Sequence, residues 1–135
     1  MKRLKLQTGA NLLEFALVTP LLLVIVFGVA DVSLALFDKA VITNASREGA
    51  RTGMTFRVPR PDNTEIAAVV TNYCAARLVN FATSAPVTSV SRTGQNSGDR
   101  LTVTVTYRYN YAVLSRLIPG LGALDLVATT VVRME

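Results

Sequence analysis

From Phe15 to Ala30 the chain reads FALVTPLLLVIVFGVA, a run without a single charge. With Asp31 as the one acid, the apolar character carries on to Phe37. As a helix, residues 15–37 measure roughly 34 Å at ~1.5 Å per residue, enough to cross a hydrocarbon core of about 30 Å. A core helix of a soluble protein keeps a polar stripe, whereas residues 15–30 are apolar on every face. Pro20 near the start loosens the helix, which membrane helices tolerate better than soluble ones. The pattern then changes. Leu34, Phe37, Val41, Ala45 and Gly49 recur at spacings of three and four, with Asp38, Lys39, Asn44, Arg47 and Arg51 facing elsewhere, which predicts an amphipathic helix. Gly53 is a suitable stop, and Pro59 and Pro61 forbid continuation. The two patterns join into one long helix from about Ala10 to Thr52, half in lipid and half out. Gly49 and Gly53 match the GxxxG dimerisation spacing, but Arg51 lies between them in a polar segment, which argues against helix pairing in lipid.

The remaining eighty or so residues predict a small α+β module. Residues 54–62 are a linker. Asp62 is a good N-cap, and Glu65 completes the capping-box spacing. Ile66, Val69, Val70, Tyr73, Cys74, Arg77, Leu78 and Phe81 trace a helix face with Arg77 as its one polar interruption. Three strands follow: a short one over Pro86–Arg92, a clear one in which Leu101, Val103, Val105, Tyr107, Tyr109 and Tyr111 alternate with polar residues, and a Val/Thr-rich one from about Asp125 to Met134. The Gly94–Asp99 stretch between the first two is a turn, so they form a hairpin. Strands after a helix imply an antiparallel sheet packed on it. The tyrosine row offers a stacking platform for bases or sugars, but its unbroken phase with Leu101, Val103 and Val105 favours the core face. Cys74 reads as a buried small hydrophobe, with an intermolecular disulfide as the minority alternative. The Leu117–Gly122 loop is unusually apolar for a connection; covering the sheet, touching a partner and touching the membrane surface all fit it.

Composition removes function classes more than it adds them. The 135 residues contain no His, no Trp and one Cys. Without His, a Ser-His-Asp or Cys-His nucleophile and a His-bearing zinc site are excluded. No carboxylate pair is set by spacing, and no phosphate-cradling Gly loop precedes Lys-Ser/Thr. The chain therefore reads as a non-enzyme, and no cofactor or metal is expected. The net charge of +5 points toward nucleic acid only until it is located. Lys2, Arg3 and Lys5 supply three charges in the first nine residues, and without them 11 basic residues face 9 acidic ones. The other arginines are scattered rather than clustered on one face, so nucleic acid is not an expected partner. By the positive-inside rule the basic tip leaves the N-terminus in the cytoplasm and sends the C-terminal body across the membrane.

Glu14 does not fit a simple anchor. It lies at the edge of the apolar run, where an ionised carboxylate costs several kcal/mol unless paired; the bland alternative is that it sits at headgroup level and faces water. The stretch KRLKLQTG is a short basic leader ending at Gly9, followed by ANLLEF. A cut after Gly9 would give Ala10 a free α-amino group four residues from Glu14. That is an i, i+4 separation in one helix, and between neighbouring subunits the two charges can neutralise each other in lipid. Ordinary signal peptidase cuts after the apolar run; a cut here would precede it and leave the span in place.

These residues resemble the processing site of type IV pilin-like precursors of the Flp/Tad class. The longer run from Gly9 to Gly53 resembles the TadE-like pseudopilin family, with its Glu14-Phe15 start, its Leu-Pro-Leu-rich span (Thr19 stands where Leu commonly precedes the proline) and Ser46-Arg47-Glu48-Gly49-Ala50-Arg51 in place of an Ala-Arg-Glu-Gly-Ala-Arg stretch. The resemblance implies a pilin-like α+β fold: a cleaved basic leader over residues 1–9, a long helix over 10–53 with its span at about 15–37, and a periplasmic domain over 54–135. It implies that a prepilin peptidase cuts between Gly9 and Ala10, with Ala10 the position that related pilins N-methylate. Glu14, followed by Phe15, becomes the carboxylate needed for processing or for registering one subunit against the next. The implied setting is the bacterial inner membrane, the implied partners are other pilin-like subunits and the Tad assembly machinery, and the implied role is assembly of a pilus used for adherence and biofilm formation. The alternative from the residues alone is a signal-anchored periplasmic binding module unrelated to pili, which explains the basic tip and the span but neither Gly9 nor Glu14.

Overall fold

The computed structural model describes residues 3–79 and 84–135, with side chains from Asn11 onward. The element order is α1 (Arg3–Met54), α2 (Asn63–Ala75), β1 (Val87–Arg92), β2 (Arg100–Tyr109), α3 (Leu114–Leu117) and β3 (Leu124–Arg133). This is the expected α+β arrangement: a long N-terminal apolar helix, then a helix and a three-stranded antiparallel sheet. At 52 residues, α1 is roughly 78 Å long at ~1.5 Å per residue. The head formed by the other elements packs only on its C-terminal half.

The sheet has the order β1-β2-β3 with both pairings antiparallel. Alternation on the central strand sets its faces. Leu101, Val103, Val105, Tyr107 and Tyr109 are buried, while Thr102, Thr104 and Thr106 stay on the other side. The register places Val90 opposite Val103 and Ala128 opposite Val105, so the same face continues across all three strands. The tyrosine row is therefore core for Tyr107 and Tyr109. Tyr111 lies past the end of β2 and packs edge-on against Tyr109 at 5.6 Å between ring centroids. The turn at 94–99 closes through Gly98, whose φ of +89° suits glycine.

Helix α2 starts as its sequence dictates: Asp62 is extended and its Oδ1 accepts the Glu65 N–H at 2.6 Å. The Glu65 carboxylate, however, does not return to the cap but pairs with Arg57. Ile66, Val70 and Cys74 are buried, with Tyr73 and Leu78 packed against them. The helix stops at Ala75, short of the expected face running to Phe81; Phe81 lies outside the described residues, and Arg77 turns out to stack on the Tyr73 ring. Close approach of α2 and β2 to α1 depends on the two glycines. A Cβ on Gly49 would lie 2.6 Å from Val70 Cγ2, and one on Gly53 would lie 2.4 Å from Leu101 Cδ2 and 2.6 Å from Ile66 Cδ1. The GxxxG spacing thus seats the chain's own second helix and sheet.

The inward face of α1 differs from the expected one by a fraction of a turn. Leu34, Val41, Ala45 and Gly49 do face the head, but Phe37 is 50% exposed and Asp38, expected outside, is fully buried. The buried line runs Asp31, Ala35, Asp38, Ile42, Ala45, Gly49 and Gly53, a stripe of acids and small residues.

Candidate membrane and assembly site

Below Asp31 the helix stands alone. No residue from Asn11 to Ala30 is buried; Phe15 and Leu17 are 70% exposed, and Leu21, Ile25 and Val29 are more than half exposed. Those twenty residues extend about 30 Å at ~1.5 Å each, one hydrocarbon core thick. Among the described residues this is the helix long and apolar enough to cross a membrane, and none of its apolar window is buried. Its hydroxyls are satisfied locally. The Thr19 hydroxyl donates to the Phe15 carbonyl at 2.7 Å, and Ser33 does the same to Val29, a back-bond that hides a hydroxyl in an apolar medium. The helix runs through Pro20 without a break.

The residues singled out by sequence lie at the foot of this stem. Gly9 is exposed, with open space where a side chain would be. Ala10 and Glu14 fall on the same continuous helix, so one helical turn separates them. Glu14 and Phe15 are both exposed and border a shallow surface depression with Asn11 and Val18. Glu14 has no hydrogen-bond or ion-pair partner among the described residues.

The head grips the helix at the top of the stem, at a point the sequence reading passed over. Asp31 is 2% exposed. Its Oδ2 accepts the backbone N–H groups of Val113 and Leu114 at 3.1 and 2.9 Å, and its Oδ1 accepts that of Ala112 at 3.2 Å. The Tyr109 hydroxyl donates to the Asp31 carbonyl oxygen at 3.1 Å. Burial first, then the Asp31 and Asp38 charges, push the Tyr109 phenol up to about 12. Leu114 lies over Gly28, 3.8 Å from where a Cβ on that glycine would be. The head therefore reaches down to residues 28–31, inside the expected 15–37 span. The available signal was periodicity: Asp31 and Asp38 are seven apart on the stripe that holds Ala35, Ile42 and Ala45. The sequence pattern sets Asp38 outward and counts Asp31 only as the one acid of the span, whereas a carboxylate that collects backbone N–H groups is stable when buried.

Higher on α1, Asp38 Oδ1 accepts the Val79 N–H at 2.9 Å, while Oδ2 has no partner among the described residues. Burial raises its pKa above the usual carboxylate range, partly opposed by the Val79 bond. Burial, helped by Asp38, also raises the Cys74 thiol, which keeps it protonated and a poor nucleophile. Lys39 donates to the Val127 carbonyl, and the Ser46 and Thr130 hydroxyls bond at 2.7 Å, tying β3 to the helix. Elsewhere a polar surface cleft of about 520 Å³ lies between Asp62, Asn63, Arg92 and the 93–95 turn. It holds one carboxylate and one guanidinium, the latter engaged with the Pro61 carbonyl. Among the described residues no three of His, Cys, Asp and Glu gather as a metal site. The bare apolar stem is suited to anchoring and lateral packing.

No curated protein and no solved structure matches the chain. Residues 9–51 match the family model described as TadE-like protein. That segment opens at Gly9, takes in the whole bare stem, and ends beside the glycines that seat the head. Over residues 9–51 the chain is thus similar to the TadE-like family, and the one helix among the described residues long and apolar enough to cross a membrane fits a one-pass anchor.

Proposed function

We propose that this chain is a minor pilin-like subunit, a pseudopilin, acting in assembly of a Flp/Tad pilus and hence in surface adherence. The observation that carries the reading is the bare stem: no residue from Asn11 to Ala30 is buried, the run from Phe15 to Ala30 has no charge, and a lone carboxylate at Glu14 stands at its entrance. A stem of this kind is stable only in lipid or against other apolar helices, and these are the two environments of a pilin before and after assembly. In the bilayer the basic tip stays in the cytoplasm and the head lies in the periplasm, which sets the protein in the bacterial inner membrane. A prepilin peptidase cuts between Gly9 and Ala10. Glycine in a helix is about 1 kcal/mol less favourable than alanine, so the backbone opens most readily for the peptidase at Gly9. The new α-amino group of Ala10 then meets a Glu14 carboxylate, in its own helix or in a neighbour's, and the pair is carried in lipid at lower cost than either charge alone. Pilin-like subunits and the Tad assembly machinery are the partners this requires.

Intact-mass analysis of the membrane-extracted protein tests the reading. The expected product lacks residues 1–9 and begins at Ala10; retention of Met1 in cells that process other pilins overturns it. Glu14→Ala is expected to abolish processing or pilus formation while leaving membrane insertion unchanged. Normal pili from that variant would remove Glu14 from the mechanism.

A further inference from the structure

The connection between β2 and β3 carries apolar side chains that the fold leaves outside. Leu117 is 46% and Ile118 44% exposed, and Pro119 and Gly120 beside them are exposed as well. Between Ala112 and Leu124 there is one charge, Arg116. Connections on a protein surface are ordinarily polar. This one is also held in a fixed place. Asp31 binds its first three N–H groups, the Ile118 N–H donates to the Leu114 carbonyl at 2.9 Å, and Gly120 turns the chain at φ +90°. Its height along α1 is given by Leu114 over Gly28. Gly28 lies two residues inside the bare apolar run, about 3 Å along the axis from Ala30 at ~1.5 Å per residue.

We propose that this connection is a second membrane contact, in which Leu117 and Ile118 enter the headgroup–acyl boundary of the bilayer that α1 crosses and Arg116 extends toward its phosphates. The proposal rests on the reading of α1 as a membrane span. The occupant follows from continuity: the apolar surface of the stem runs through Gly28 and Leu114 onto the connection without an intervening charge, so wherever the stem is in lipid the connection is at the lipid boundary. A long basic side chain suits that depth because its stem stays in the apolar layer while its head reaches the polar one. The consequence is a head held against the membrane surface in a set orientation, rather than swinging on a single helix.

The test uses the full chain with buried Cys74 replaced by Ala, reconstituted into phosphatidylethanolamine–phosphatidylglycerol vesicles. An environment-sensitive fluorophore is attached in separate samples at Val18→Cys in the stem, Ile118→Cys or Leu117→Cys in the connection, and Val87→Cys on the exposed edge strand. The expected result is that lipid-borne nitroxides quench most of the fluorescence at positions 18, 117 and 118 and none at 87, while aqueous iodide quenches only position 87. Quenching at 18 but iodide access at 117 and 118 overturns the second contact and leaves the span intact. Shielding of 117 and 118 from both quenchers overturns it in favour of a protein partner. Loss of lipid quenching at 18 overturns the span reading itself, and the second contact with it.

Discussion

The two halves of α1 share one backbone and differ in every other respect. From Asn11 to Ala30 no side chain is buried, whereas from Asp31 to Gly53 a continuous stripe is. The acids show what the difference means. Glu14, in the lower half, has no hydrogen-bond or ion-pair partner among the described residues. Asp31, at the junction, is enclosed by three backbone N–H groups. Asp38, in the upper half, is enclosed but only half satisfied. The upper half resolves most of its polar groups within the molecule, whereas the apolar surface of the lower half is left for its surroundings to cover. Stability should therefore reside almost wholly above residue 30, and association below it.

Asp31→Ala should break the junction and have the largest effect. It strands the N–H groups of Ala112, Val113 and Leu114, at about 1–3 kcal/mol for each donor left without water, so a loss on the order of 3 kcal/mol is expected in thermal melting of the detergent-solubilised full chain. Asp31→Asn should lose less, since one acceptor oxygen remains. Leu22→Ala in the stem should leave the same melt unchanged, because Leu22 touches nothing in the head. Equal effects at 22 and 31 would erase the distinction between the halves. Next in size is Gly53→Ala. Its Cβ would sit 2.4 Å from Leu101 and 2.6 Å from Ile66, and such overpacking typically costs about 1–3 kcal/mol. A melt at or above wild type would show that these two side chains shift freely and that the glycine is not needed for the seat.

How far this division was legible in the sequence depends on which signals are local. The stem was plain from composition alone, and the alternation of Leu101 to Tyr109 fixed the strand, its faces and the core role of its tyrosines. The cap at Asp62 followed from residue type. What escaped was the phase of the upper half and the role of Asp31 and Asp38. Their partners, Ala112 to Leu114 and Val79, are backbone groups distant in sequence, and a backbone N–H leaves no mark on residue identity. Gly49 and Gly53 show a related limit: the spacing announces close packing but not whether the neighbour belongs to the same chain. At the foot of the stem, Gly9, Ala10, Glu14 and Phe15 could be located but not connected, because no partner of the Glu14 carboxylate lies among the described residues.

Within the head, Asp62→Ala sharpens the comparison at a smaller scale. It removes the 2.6 Å cap bond to the Glu65 N–H, and loss of such a cap costs typically about 1 kcal/mol. The melt should fall by that modest amount, with membrane insertion and leader removal unaffected. A change in processing would mean that the head communicates with the foot of the stem, contrary to the division drawn here.

Asp38 gives the finest test, since the quantity measured is a slope. Its pKa is raised from 3.8 by burial, against the pull of the Val79 N–H. In the folded chain it therefore holds its proton to higher pH than in the unfolded chain. Its contribution is fully present below the unfolded value and is lost as pH rises through the folded one, because in that window the native state binds more protons. Wild-type stability should accordingly carry a declining component from about pH 4 upward. Asp38→Asn keeps an oxygen for Val79 and cannot ionise, so that component should vanish while stability at the acid end stays near wild type. The charges of Glu48 and Arg51, paired at the surface, are common to both chains and drop out of the difference. Parallel pH profiles for the two chains would mean that Asp38 is solvated in the native state, and the upper half of α1 would then be less thoroughly enclosed than the buried stripe implies.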